Sequence, residues 1–210
     1  MTNRNRTVYG LRSKDHGLVY EGYHLSFTDA VHDALKNNID LNGIDMTGQN
    51  LRNLNLDGIN LSNADFSNSD LTGANMSEAL FTNCVFSNST LFDASFCYSD
   101  IVKSTFIETR FGVTDLSEAK ISNSEFSGPS TFNIDFARAY LMKENIYRHE
   151  HQKLKMGKPP KIFSGYKNSY VFLDDKVIAG NEVYDFSSHE LNNIISIFLM
   201  DLLKANSISG

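Results

Sequence analysis

The 210-residue sequence has no tryptophan, three prolines and two cysteines. So few cysteines exclude a disulfide-stapled scaffold and fit a reducing, cytoplasmic setting. No apolar run reaches the 18 residues that a membrane helix needs. The start, residues 1–17, lacks the apolar stretch of a secretory signal, so neither export nor a membrane partner is expected. Nucleotide and nucleophile motifs are missing as well, with no GxGxxG, no P-loop and no GxSxG. Nineteen basic residues against 25 acidic ones give a net charge of −6, which argues against direct, charge-driven binding of nucleic acid. In place of these, the chain holds 15 phenylalanines and many asparagines and serines, a mixture that suggests periodicity.

The period is five. From Ile39 the chain reads IDLNG, IDMTG, QNLRN, LNLDG, INLSN, ADFSN, SDLTG and onward to AYLMK at residues 139–143, which makes 21 consecutive pentapeptides. The third position is Leu, Met, Phe or Ile in 20 of the 21, with Thr131 the exception. The first position is mostly small, and the last two are mostly polar or Gly. A period of five fits neither a helix nor a flat strand. It needs a chain that turns a corner every five residues, with the first and third side chains inward.

This pattern resembles the pentapeptide-repeat family, whose motif is A(D/N)Lxx, over half the chain. The resemblance implies a right-handed quadrilateral β-helix of 20 residues per coil. Residues 20 apart then stack. The first face carries Leu41, Leu61, Phe81, Ile101, Ile121 and Leu141 inside, and the second Met46, Phe66, Phe86, Phe106 and Phe126. The third carries Leu51, Leu71, Leu91, Phe111 and Thr131, and the fourth Leu56, Met76, Phe96, Leu116 and Phe136. At a strand spacing of about 4.8 Å, five coils make a rod roughly 25 Å long.

The fold class expected is all-β dominated: this solenoid over residues 39–143, an N-terminal hairpin and capping helix over 1–38, and a small α+β module over 144–210. Open coil ends are bare sheet edges and need covers. Residues 26–35 carry an apolar stripe of Phe27, Ala30, Val31, Ala34 and Leu35 behind Ser26 and Asp29, which predicts a short helix over the first coil. Thr7 to His24 predicts a hairpin turning at Asp15-His16-Gly17. Glu144 to Met156 is charged and predicts a helix. Residues 169–173 and 176–179 predict two strands around Asp174-Asp175. A last helix is expected from near Ser187, with Glu190 as its capping partner. Its apolar residues exceed one face, and related proteins often dimerise through a C-terminal helix. A homodimer through Ile194, Ile197, Phe198 and Leu202 is therefore expected.

No catalytic constellation accompanies the serines and threonines, so no enzyme activity, cofactor or metal is expected. His149-Glu150-His151 reads as a solvated helix turn rather than a metal pair, because no further ligands accompany it. Cys84 is a small inward filler and Cys97 faces outward, so the two are not expected to bond.

The surface carries the functional signal. Residues 40–137 hold 13 acidic and 4 basic side chains. Asp45, Asp65, Glu108 and Glu125 fall on the second face with no base inside the coil. Asp57, Glu78, Asp115, Glu118 and Asp135 fall on the fourth, with Arg138 at its end. The other two faces balance. Some pentapeptide-repeat proteins resemble B-form DNA in width and charge and occupy the DNA site of gyrase. The resemblance thus implies an inhibitor or modulator of a DNA-binding protein, a type II topoisomerase first. Members that protect gyrase from drugs often carry projecting loops, and residues 39–143 show none. A helical cap before the coils and an appended module also resemble phage and prophage members. The alternative is an adaptor that docks a protein on Leu80, Val85, Phe92, Val102, Ile107 and Val113, outward positions that turn apolar in the middle coils.

Overall fold

The structure, a computed structural model, describes residues 6–186 and 190–208. Its centre is a four-sided coil of short parallel strands. One column of bridges joins Asp45, Asp65, Val85, Thr105 and Glu125, each 20 residues from the last. A second joins Asn60–Ser62, Leu80–Thr82, Asp100–Val102 and Lys120–Ser122 in one parallel sheet. The 20-residue period therefore holds.

The third-position residues from Leu41 to Phe126 are all buried. On the second face the rings of Phe66, Phe86, Phe106 and Phe126 lie parallel, with successive centroids 4.8, 4.9 and 4.9 Å apart. That distance is the strand spacing itself, so the phenylalanines stack because the coil stacks. First-position residues fill the remaining interior. Where they are hydroxylic they donate to backbone carbonyls, of the preceding coil for Ser69 Oγ to Met46 O at 2.6 Å and Thr109 Oγ1 to Phe86 O at 2.7 Å, and of their own coil for Ser89 to Phe86 O and Ser99 to Phe96 O. These inward hydroxyls are thus satisfied.

The start of the coil is covered twice. Strands β1 (Thr7–Ser13) and β2 (Gly17–His24) form an antiparallel hairpin. Helix α1 (Phe27–Lys36) follows, its N-terminus capped by Ser26, whose hydroxyl accepts from Asp29 N at 3.0 Å. The end of β1 runs along the first coil, where Asp45 N donates to Arg12 O. From α1, His32 Nε2 accepts from Asn55 N, and Thr28 Oγ1 donates to Asn50 O. These bonds occupy backbone groups that a bare first coil would leave open.

At the far end the structure departs from the sequence pattern in two ways. The repeat register slips by one residue after Phe136, so Ile121 pairs with Met142 instead of Leu141. Met142 is buried and Leu141 is 42% exposed, which corrects the inward placement of Leu141. The slip follows two short 3-10 turns, Pro129–Asn133 and Phe136–Arg138. The first carries Thr131, which is buried with its hydroxyl donating to Ser127 O. A chain wound this way does not return in five residues.

The second correction concerns residues 144–156, which are not helical. Ile146–His149 (β3) pairs in parallel with Glu125–Ser127, and Gln152–Lys155 (β4) turns back antiparallel to it. Tyr147 thereby follows Phe126 in backbone register, its ring packing on Phe132 with centroids 4.6 Å apart, and Asn145 takes the inward polar position, its amide donating to Ile121 O. The coil continues past residue 143, and β4 seals it. His149, Glu150 and His151 sit at this hairpin's end, not on a helix turn.

A separate antiparallel sheet follows, made of β5 (Lys161–Ser164), β6 (Ser169–Phe172), β7 (Lys176–Ala179) and β8 (Glu182–Asp185). Helix α2 (Glu190–Ile208) packs on it through Ile194 and Phe198. Asp201 ties the helix to the β5–β6 turn, accepting from Lys167 N, Asn168 N and Tyr170 Oη. The cap expected at Ser187 lies outside the described residues.

Candidate functional site

Outward carboxylates on the coil come from two kinds of position. Second-position Asp residues build the corners: one oxygen of Asp45, Asp65, Asp115 and Asp135 accepts the backbone N–H two residues on, at 2.9 to 3.2 Å. Asn50, Asn55 and Asn75 do the same with their amide oxygens, so these acids partly serve the turn. Fourth- and fifth-position acids have no such duty. Asp57, Glu78 and Glu118 are exposed, and among the described residues no ion pair reaches them.

The flanking modules then treat the faces unequally. The second face gains cations from both ends. Lys14, at the hairpin turn, lies 2.6 Å from Asp65. Arg148 and Lys153 converge on Glu125, at 2.7 Å from Arg148 Nε and 3.3 Å from Lys153 Nζ. Burial alone would raise the Glu125 carboxyl, but the two cations overcome it and hold it below its usual range. Asp65 is lowered likewise: burial opposes, and Lys14 and Ser67 prevail. Glu108 accepts from Ser127 Oγ at 2.8 Å, which leaves Asp45 as the second face's remaining outward acid without a side-chain donor.

The fourth face keeps its charge. Among the described residues its one ion pair is Arg138 to Asp115 at 3.4 Å. The Asp115 carboxyl is lowered first by its bond from Ser117 and then by the Cys97 thiol, which donates to Oδ2 at 3.1 Å. Asp57, Glu78, Glu118 and Asp135 remain exposed and unpaired. On the first and third faces Asp100 meets Lys120 at 3.3 Å, and Asp70 meets Arg52 at 3.0 Å.

Two other groups of expected site residues are not gathered into single surfaces. Leu80 and Val102 lie on the first face, Val85 and Ile107 on the second, and Phe92 on the third. The guanidinium of Arg110 stands 5.5 Å from the Phe92 ring. Val113, at a corner, is 83% exposed. The six are spread over three faces. On α2, Ile194 is buried and Phe198 packs against Tyr170 and Phe172 at 4.9 and 5.6 Å, so both serve their own module. Ile197 points outward and Leu202 is half-buried. The outward side of the helix is formed instead by Ile195, Leu199, Met200 and Leu203, all exposed. Sequence reasoning missed Met200 on this side; only knowledge of which side meets the sheet assigns it.

Among the described residues, no three His, Cys, Asp or Glu side chains gather as metal ligands, and no helix is long and apolar enough to cross a membrane.

The family model for pentapeptide repeats matches residues 37–68 and 59–97, with eight copies. Solved structures that the chain resembles include a pentapeptide repeat protein from the thylakoid lumen of Arabidopsis thaliana, at 26% identity and a TM-score of 0.31, over 43% of this chain and 55% of that one. Another is HetL, involved in heterocyst differentiation regulation in the cyanobacterium Nostoc, at 19% identity and a TM-score of 0.34, over 50% of each chain. A third is QnrB1, a plasmid-mediated fluoroquinolone resistance protein, at 18% identity and a TM-score of 0.21, over 50% and 60%. The match spans 50–60% of these structures' own lengths. A comparison with curated proteins gives no match.

Proposed function

We propose that this pentapeptide-repeat protein is a non-enzymatic cytoplasmic binding protein that offers the fourth face of its coil to the basic groove of a DNA-binding protein, with a type II topoisomerase the leading candidate. One observation carries the reading: the flanking modules pair Asp65 and Glu125 of the second face with Lys14, Arg148 and Lys153, whereas on the fourth face they pair Asp115 alone and leave Asp57, Glu78, Glu118 and Asp135 open. Acids that merely belong to the repeat would be treated alike on both faces. Carboxylates on four of this face's five coils, interrupted at residues 94–98, still present negative charge along the rod, as a phosphate backbone does. The adaptor reading has less support, because its apolar positions are divided among three faces.

The test is gyrase supercoiling with added protein across a salt series. Asp57→Lys, Glu78→Lys and Glu118→Lys together should remove inhibition; Asp115 is spared because it builds its corner. Reversal of Asp40 and Asp70, on the balanced faces, should do much less. Inhibition by the wild type should fade with salt, since charge attraction is screened over about 8 Å at physiological ionic strength. No inhibition at any salt would overturn the reading.

We also propose that the chain pairs with a second copy through the outward side of α2. The observation that favours this is the exposure there of Leu199, Met200 and Leu203, at 51%, 60% and 65%.

A further inference from the structure

Between α2 and the sheet of the C-terminal module lies a cavity of about 130 Å³, lined by Tyr170, Phe172, Val177, Ile194, Ile195, Phe198 and Leu199. It is separate from the acidic faces and from any reading of them. The lining carries one polar atom, the Tyr170 hydroxyl, and that group is already engaged in its bond to Asp201 at 3.2 Å. The space opens partly to solvent, and water that enters it finds almost no polar partner in the walls, so an apolar ligand displaces it readily. A charged or strongly polar ligand would lose its hydration with nothing in return.

The shape of the walls narrows the occupant further. The Phe198 ring meets Tyr170 and Phe172 at 70° and 69°, with centroids 4.9 and 5.6 Å away. This edge-to-face arrangement is what aromatic rings adopt around one another. Ile195 and Leu199, 42% and 51% exposed, border the cavity from the solvent side of the helix, so an apolar ligand meets an apolar rim. Apolar cavities of this size elsewhere stay dry and accept benzene.

We propose that the C-terminal module binds a neutral apolar ring of about benzene size in this cavity. The full-length protein, with methyl groups labelled for NMR, is titrated with benzene. Saturable shifts are expected at Val177, Ile194, Ile195 and Leu199, while coil methyls such as Leu61 and Leu71 stay in place. Benzoate, of equal ring size but charged, should give none. Val177→Phe, which fills the space, and Ile195→Phe, which narrows the exposed rim, should each remove the saturable shift and leave the coil signals unchanged. The proposal is overturned by shifts that never saturate, by benzoate matching benzene, or by benzene binding unaltered in a variant whose Val171 and Ile178 signals show the C-terminal module to be folded.

Discussion

At the scale of the residue, inward and outward neighbours on one pentapeptide should differ sharply in what they contribute. Phe86 is buried between Phe66 and Phe106, with ring planes 4° and 2° from parallel. Phe86→Ala should cost about 3–5 kcal/mol, because the rings above and below are held by the coil and cannot collapse into the gap. Ser87 is only half-buried, and its carbonyl, not its side chain, accepts from Asn68 N. Ser87→Ala should therefore change stability by less than about 0.5 kcal/mol. Denaturant unfolding of the two variants measures both, and equal effects would contradict the register. This contrast is legible in the sequence because a strict period assigns inside and outside without any coordinates. Cys84 follows the same rule: inward, fully buried, and with a thiol pushed up to about 11 by that burial.

At the scale of the element, the corners and the end of the coil explain what a sequence shows and hides. Every fifth position that turns with a left-handed backbone would be served best by Gly or Asn. Three corner columns mostly comply, with Gly43, Asn63, Asn83 and Asn123 in one of them. The column bordering the fourth face complies only at Gly58: Glu78, Tyr98 and Glu118 all have φ between 54° and 58°. Tyr98→Asn should then raise stability by up to about 1 kcal/mol, because a bulky side chain pays the larger left-handed penalty; thermal unfolding would show no gain if the corner were unstrained. The far end was less legible. Nothing in the residues around Tyr140 announces the extra residue, since both Leu141 and Met142 are apolar and only the preceding 3-10 turns decide which one enters. Residues 144–156 look helical by charge, yet β3 forms because Tyr147 finds a backbone partner already laid down in Phe126, and Asn145 a partner in Ser124. Charge pattern yields to a template offered by the previous coil. Across this end Glu125 joins Arg148 and Lys153, and its carboxyl is held below its ordinary value of 4.5. A depressed carboxylate contributes stability above its unfolded pKa and loses it as pH falls through the folded one. The wild type should lose stability on acidification below about pH 4.5, and Glu125→Gln should show a flatter dependence over that window. Thermal unfolding against pH compares them, and parallel curves would show that the pair contributes nothing.

At the scale of the whole molecule, the sequence marks α2 as apolar on more than one face without assigning either side. An all-round apolar segment says that α2 has more than one neighbour, but not which residues meet which. Seating Ile194 and Phe198 on the sheet rotates Met200 and Leu203 to the opposite side and leaves Leu199 at the edge, exposed but also bordering the cavity against the sheet. A single charged residue there is tolerated by a monomer and not by a pair, because an unpartnered charge would be desolvated at the interface. Leu199→Lys and Leu203→Lys together should give a folded monomer where the wild type is a dimer, by light scattering at matched concentration. Ile194→Lys should instead unfold the C-terminal module, because its side chain has no route to water. The acidic face lies on the coil and α2 on the terminal module, so the monomeric double variant should keep whatever inhibition of supercoiling a single rod provides. Loss of inhibition together with loss of the dimer would mean that the partner needs two rods held in one particle. A monomeric wild type at high concentration would remove the pairing and leave the single fourth face to act alone.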